Sequence, residues 1–338
     1  MNWQDVKKNA KEKLKPYCRV CPICNGIACA GEVPGMGGVG TGSSFKANIE
    51  ALHKIKLNLS TIHNVREPDT AIEIFGQSLS LPVMAAPITG TTYNMGGAIT
   101  EEVYCEEVIA GSIMAGTIGW TGDGADPLMY GSGINAIKKN NGKGIPIIKP
   151  RAQDEIIKRI KQAEDAGARA VGVDIDGAGL ITMALKGQPV SPKSPKEIEE
   201  LVKATSLPFI LKGIMTLREA EIAYNVGVSA IVVSNHGGRI LDHTPGVAEV
   251  LPEIAEKFKG KIKIIADGGV RSGVDVLKLL ALGADAVLIG RPVVVAVFGG
   301  GREALKLYFD NIKNELKQAM LLTGVASVKD VPRAILRF

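Results

Sequence analysis

From about residue 81 onward, short apolar runs alternate with amphipathic stretches eight times, and this repetition leaves few folds open. The predicted strands are Leu81–Ala86, Ser112–Ala115, Ile145–Ile148, Ala170–Asp174, Phe209–Lys212, Ala230–Ser234, Ile262–Ala266 and Ala286–Ile289. Between them lie helix patterns such as Asp154–Ala166, Pro195–Ala204, Leu217–Asn225, Val247–Phe258 and Gly273–Leu282. Several stop at a glycine (Gly167, Gly227, Gly283), the residue that tolerates the left-handed turn ending a helix. Strands this short and this continuously apolar belong in a parallel sheet covered on both faces. Eight such units predict an α/β chain folded as a (β/α)8 TIM barrel. An open doubly wound sheet is the competing architecture, but no glycine-rich fingerprint follows the first strand.

A chain of 338 residues can hold one large barrel with an N-terminal extension, or two smaller domains. The expected division is 1–80, comprising a helix, a cysteine-rich segment and a hairpin at Ile72–Leu79, followed by the barrel at 81–338. Gly116–Gly144 reads as a glycine-rich insertion and a lid candidate. The net charge of +5 comes from lysines scattered along helices, which argues against nucleic-acid binding. Met1–Pro16 is charged and helical in pattern, and the apolar run Pro292–Gly299 is too short to span a bilayer. The expectation is therefore a soluble, cytoplasmic protein.

Barrel enzymes work at the C-terminal ends of their strands. Lys212 ends the fifth predicted strand. Ser234-Asn235-His236-Gly237-Gly238-Arg239 follows the sixth, Asp267-Gly268-Gly269-Val270-Arg271 the seventh, and Gly290-Arg291-Pro292 the eighth. A base that titrates near neutrality and a planar cation that grips carboxylates thus share one loop, with glycines between them to let it bend. That pairing suits removal of a proton from a small acid. The glycine-rich starts after strands seven and eight, with Arg271 and Arg291, predict a phosphate site.

Taken in order and spacing, these motifs resemble the FMN-dependent 2-hydroxy-acid oxidase and dehydrogenase family, which includes glycolate oxidase, lactate oxidase and mandelate dehydrogenase. The similarity runs from about Leu81 to Phe338 and is strongest from Leu211 to Arg291. The resemblance implies FMN at the barrel rim, oxidation of a 2-hydroxy acid to a 2-oxo acid, and a homotetramer. It implies that His236 is the catalytic base, that Arg239 holds the substrate carboxylate, and that Asp176 orients the histidine. Lys212 would stand beside the flavin where negative charge grows. Pro87-Ile88-Thr89 and Ser234 would contact the flavin ring, and Arg271, Gly290 and Arg291 its phosphate.

The chain departs from the family where an arginine normally follows the aspartate: Gly177-Ala178-Gly179-Leu180-Ile181-Thr182 contains none. Ile147-Ile148-Lys149-Pro150 replaces the tyrosine after the third strand, and a second tyrosine gives way to the cysteine-rich stretch. The substrate pocket is thus expected to be remodelled, with Lys149 replacing part of the lost charge.

Cys18, Cys21, Cys24 and Cys29 form C-x2-C-x2-C-x4-C, a spacing able to wrap one metal such as zinc or an iron–sulfur cluster. Reduced buried thiols or a Cys21/Cys24 redox pair are the alternatives, and Cys105 is expected to be packing. A cluster could drain electrons to a partner, so the acceptor is either oxygen or a redox protein. Two other functions compete at this level: an FMN-dependent isomerase resembling type 2 isopentenyl diphosphate isomerase, and a non-enzymatic flavin and cysteine redox carrier.

Overall fold

A computed structural model describes all 338 residues. Eight parallel strands close into a barrel in chain order: Val83–Ala85, Gly119–Thr121, Gly144–Ile148, Val171–Asp174, Phe209–Ile214, Ala230–Val233, Lys263–Ala266 and Ala286–Ile289. The strand interiors are buried almost throughout, which is what their lack of polar alternation dictates. Helix starts follow from local chemistry. Asp126, Ser194, Thr216 and Ser272 each cap a helix through the side-chain oxygen, and Pro127 and Pro195 take the first helical positions. No helix is long and apolar enough to cross a membrane.

The second strand is not where the sequence pattern puts it. Ser112–Met114 closes the helix Glu101–Met114, capped by Thr100 and ended at Gly116 with φ +74°. Glu101–Ala110 has a helical pattern, but the last turn of that helix reads as a strand because the helix is enclosed: Tyr104, Cys105, Val108 and Ile109 are all buried, and Gly111 would drive a Cβ to 3.0 Å from the Arg302 carbonyl. The true strand is the three residues Gly119–Thr121, too short to show a period. Gly116–Gly144 is consequently no lid insertion. It contains this strand and the helix Pro127–Lys139.

The N-terminal 80 residues wrap the barrel. Helix Trp3–Leu14 packs on Arg291–Thr323, two helices that meet at a kink at Gly300 and Gly301, with Trp3 stacked on Tyr308 at 5.1 Å. Val6, Ala10, Leu14 and Leu52 share one core of 89 residues with the barrel strands. The expected hairpin forms at Ile72–Ile74 and Gln77–Leu79, turning through Phe75 and Gly76 with positive φ. Helix Ser43–Lys54, which carries no motif, backs the catalytic rim: a Cβ on Gly238 would lie 2.3 Å from the Phe45 amide nitrogen.

Candidate active site

Strand register assembles the centre. Asp174 pairs with Lys212, and Lys212 with Val232, so charged side chains from the fourth and fifth strands meet just below the sixth loop. A bulge after Lys212 brings in Asp176. Here Gly213 has φ +98°, and a Cβ on it would come within 2.5 Å of the Asp176 Cγ. Glycine is required because the carboxyl occupies the space a side chain would need.

His236 itself is left-handed (φ +56°), an uncommon conformation for a residue with a side chain, and its amide donates to Ser234 Oγ at 3.0 Å. Gly237 and Gly238 continue with φ +64° and +76°, and the ring turns inward. Its Nδ1 lies 3.1 Å from Asp176 Oδ1, and its Nε2 lies 3.9 Å from Asp174 Oδ2. Asp174 in turn pairs with Lys149 Nζ at 2.5 Å. Asp174, Asp176 and His236 are close enough together to bind a cation, but Lys149 and Lys212 already supply the positive charge.

Burial, then Lys212 and Lys149, hold the His236 imidazole well below its ordinary range, so it is neutral near pH 7. Burial raises the Asp176 carboxyl, opposed by the same two lysines. Burial alone would lower Lys212, but Asp267, Asp176 and Asp174 outweigh it and leave the ammonium raised. Lys212 Nζ donates to Ser234 Oγ at 3.1 Å, and Ser234 Oγ donates to Asp267 Oδ2 at 2.9 Å.

Of these groups Lys149, Lys212, His236 and Asp267 line a cavity of about 140 Å³, together with Pro87, Ile88, Thr89, Gly268, Gly269 and Gly290. The loop after the first strand is pinned by buried Glu101, which accepts from the Gly90 and Thr91 amides at 3.0 and 2.8 Å and from the Thr89 hydroxyl. Ser234, expected against the flavin ring, is instead fully enclosed beneath the cavity, because its hydroxyl is spent on Lys212, Asp267 and the His236 amide.

The arginines have partners the sequence does not reveal. Arg239 donates to the Gly35 carbonyl, to the Gly37 carbonyl at 3.3 Å and to Asn94 Oδ1 at 3.1 Å. Arg291 lies 3.7 Å over the Phe45 ring and donates to the carbonyls of Met36, Gly37 and Gly237. Segment 35–37 is thereby strapped across one side of the cavity. Burial pushes Arg239 down to about 9 and Arg291 to about 10, with the other guanidinium contributing for Arg239 and Arg271 for Arg291. Arg271 donates to the Cys24 carbonyl at 3.2 Å, and its buried Nε has no partner.

Sequence reasoning missed Asp174, Asn94, Met36 and Asp123. Asp174 was findable, since it is the last residue of its strand. Asp123, buried under Arg151 at 2.8 Å and accepting the Lys149 amide at 3.0 Å, follows the unrecognised second strand.

The rim matches what FMN needs. Gly268 and Gly269 have φ +83° and +85°, and their amides and that of Val270 donate to no backbone carbonyl, which leaves a nest of three unspent N–H groups. Arg271 Nε and one Asp267 oxygen are buried without partners. A family model described as FMN-dependent dehydrogenase matches residues 35–186 and 181–338. The chain belongs to this family.

This FMN-dependent dehydrogenase family member is 30% identical over 336 residues to peroxisomal (S)-2-hydroxyacid oxidase GLO3 of Arabidopsis thaliana, covering 88% of this chain and 89% of the relative. It is 30% identical over 324 residues to L-lactate oxidase of Lactobacillus jensenii, covering 87% and 78%. Its fold superposes on a crystal structure of a mandelate oxidase variant with 2-hydroxy-phenylacetamide at TM-score 0.79, with 27% identity over 99% and 97% of the two chains.

Proposed function

We propose that this protein oxidises a 2-hydroxy acid to the corresponding 2-oxo acid, releasing two protons and two electrons per turnover. Bound FMN supplies the two-electron acceptor. Pro87, Ile88, Thr89, Lys212, Gly268, Gly269, Arg271, Gly290 and Arg291 would hold it, with the nest and the arginines at its phosphate. The observation that carries this reading is a neutral, buried imidazole held against Asp176 at 3.1 Å, with Arg239 on the same cavity wall.

Ionised, Asp176 accepts a hydrogen bond from the His236 Nδ1–H, which leaves the Nε2 lone pair free. His236 then accepts a proton from the substrate's H–C–O–H unit, and Asp176 stabilises the imidazolium that results. Arg239 fixes the substrate carboxylate, and Lys212 keeps positive charge on the cavity floor. Ala125, Met129 and Leu180 stand in the cavity wall. The stretch after Asp176 offers Leu180 and Thr182 there and no arginine. Both features favour a substrate with an apolar side chain over glycolate. No two of the five cysteines are joined in a disulfide, which supports a reducing, cytoplasmic setting.

The test is anaerobic mixing of the flavin-loaded protein with lactate, glycolate, mandelate and longer-chain 2-hydroxy acids. Bleaching of the flavin by an apolar acid is expected. No bleaching by any acid in the panel overturns the reading.

Arg239→Lys keeps a charge but loses the two-pronged grip. It should raise KM by roughly 10- to 150-fold, the equivalent of ~1.5–3 kcal/mol for a hydrogen bond to a charged group, with a smaller change in kcat. Steady-state kinetics on the best acid reads this.

Lys149→Met removes one of the charges holding His236 low and leaves Asp174 without its 2.5 Å partner. Both changes favour the imidazolium. The acid limb of kcat/KM should therefore move to higher pH, and an unmoved limb would count against His236 as the base.

A further inference from the structure

A second cavity lies apart from the catalytic one. About 340 Å³ in volume, it lies under the N-terminal loop, and Cys18, Cys21, Cys24 and Cys29 all line it. The four sulfurs come from one short segment whose path depends on left-handed turns at Val20 (φ +47°), Gly26 (φ +83°) and Gly31 (φ +79°). Cys105, by contrast, is buried in the helix Glu101–Met114, and the spacing motif does not include it.

Several observations fix what the quartet suits. The thiols are unpaired, so the loop is not a disulfide framework. Tetrahedral zinc with Zn–S of about 2.3 Å would draw its sulfurs to about 3.8 Å from one another. No three of these cysteines bring their sulfurs within 4.8 Å of one another. That spread is wider than a single tetrahedral ion holds its sulfurs, and it leaves room for a polynuclear centre. Two N–H groups already point at the sulfurs: Val20 N at 3.4 Å from Cys18 Sγ, and Arg271 Nη2 at 3.4 Å from Cys24 Sγ. Hydrogen bonds to ligand sulfur are a recognised means of tuning iron–sulfur centres. Arg271 and Arg291 line the same cavity and offset part of the charge of four thiolates, whereas Arg19 is spent on Glu32 at 2.6 Å.

We infer that Cys18, Cys21, Cys24 and Cys29 ligate a four-iron, four-sulfur cluster. Met36, Arg271 and Arg291 line both this cavity and the catalytic one, so a single layer of side chains separates the cluster site from the flavin site. Its role rests on the 2-hydroxy-acid reading; its existence does not. Each turnover delivers two electrons and two protons. The cluster passes the electrons on singly, so a one-electron carrier protein is reduced twice per acid oxidised while the protons go to solvent.

The experiment uses the full-length protein, purified without oxygen and reconstituted with ferrous iron and sulfide. Iron, acid-labile sulfide and flavin are assayed, and electron paramagnetic resonance spectra are taken after reduction by dithionite. About four irons and four sulfides per chain are expected in the wild type and in Cys105→Ser. Cys21→Ser and Cys24→Ser should lose more than half of the iron and the reduced-cluster signal while keeping their flavin content. No iron in the wild type, one zinc per chain, or equal iron in every variant overturns the site. A cluster that stays oxidised under an acid that bleaches the flavin overturns the electron route. An unbleached flavin beside an intact cluster counts against the hydroxy-acid reading alone.

Discussion

Replacing His236 by alanine is expected to slow flavin reduction by the best hydroxy acid roughly 10²- to 10⁴-fold, the span a positioned general base contributes. Stopped-flow absorbance without oxygen measures it directly. The loss should be this large because no second base stands ready. Asp174 is committed to Lys149 at 2.5 Å, and burial, Lys212 and Lys149 together keep the wild-type imidazole uncharged. Flavin content should survive, since the residues proposed to hold the cofactor come mostly from other loops. A variant that keeps flavin and still reduces it within threefold of the wild-type rate would exclude His236 as the base.

Lys212→Met should produce the largest stability change. Lys212 is buried and faces Asp267 at 3.8 Å, Ser234 Oγ at 3.1 Å and, across the register, Asp174. Removing one partner of a buried charge pair costs about 3–5 kcal/mol, because the remaining charge is left in a poor solvent. Asp267, already raised by burial, will climb further and take up a proton. A carboxyl whose folded pKa exceeds its unfolded value is stabilising at low pH and loses that stability as pH rises. The deficit of Lys212→Met should therefore be smaller near pH 5 than near pH 8 in denaturant unfolding. Adding Asp267→Asn should recover part of it at pH 8, since the uncompensated carboxylate is then gone. A deficit that does not change with pH would mean the cost is packing and not charge.

Seven of the eight barrel strands are legible in the sequence, and for one reason. A strand buried on both faces must be apolar along its whole length, and a glycine or a capped helix start then marks its end. Gly119–Thr121 escapes because three residues carry no period, and the enclosed last turn of the helix before it mimics a strand. The His236–Arg239 loop and the nest at Gly268 and Gly269 are also legible, since each is a local motif at a strand end. Asp176 came only through the family likeness, and its 3.1 Å approach to His236 spans 60 residues of chain.

What the sequence alone determined is the set of local requirements: where backbone must be buried, where it must turn left-handed, and which charged groups stand at strand ends. Tertiary structure alone decided how those groups are spent. Arg239 and Arg291 grip carbonyls near residue 36, more than 200 positions away, and Ser234 sinks under the cavity instead of lining it. The physical reason is that a buried donor must find an acceptor. Which acceptor comes within reach is fixed by barrel closure and by the extension folding over the rim, neither of which leaves a local trace in the chain.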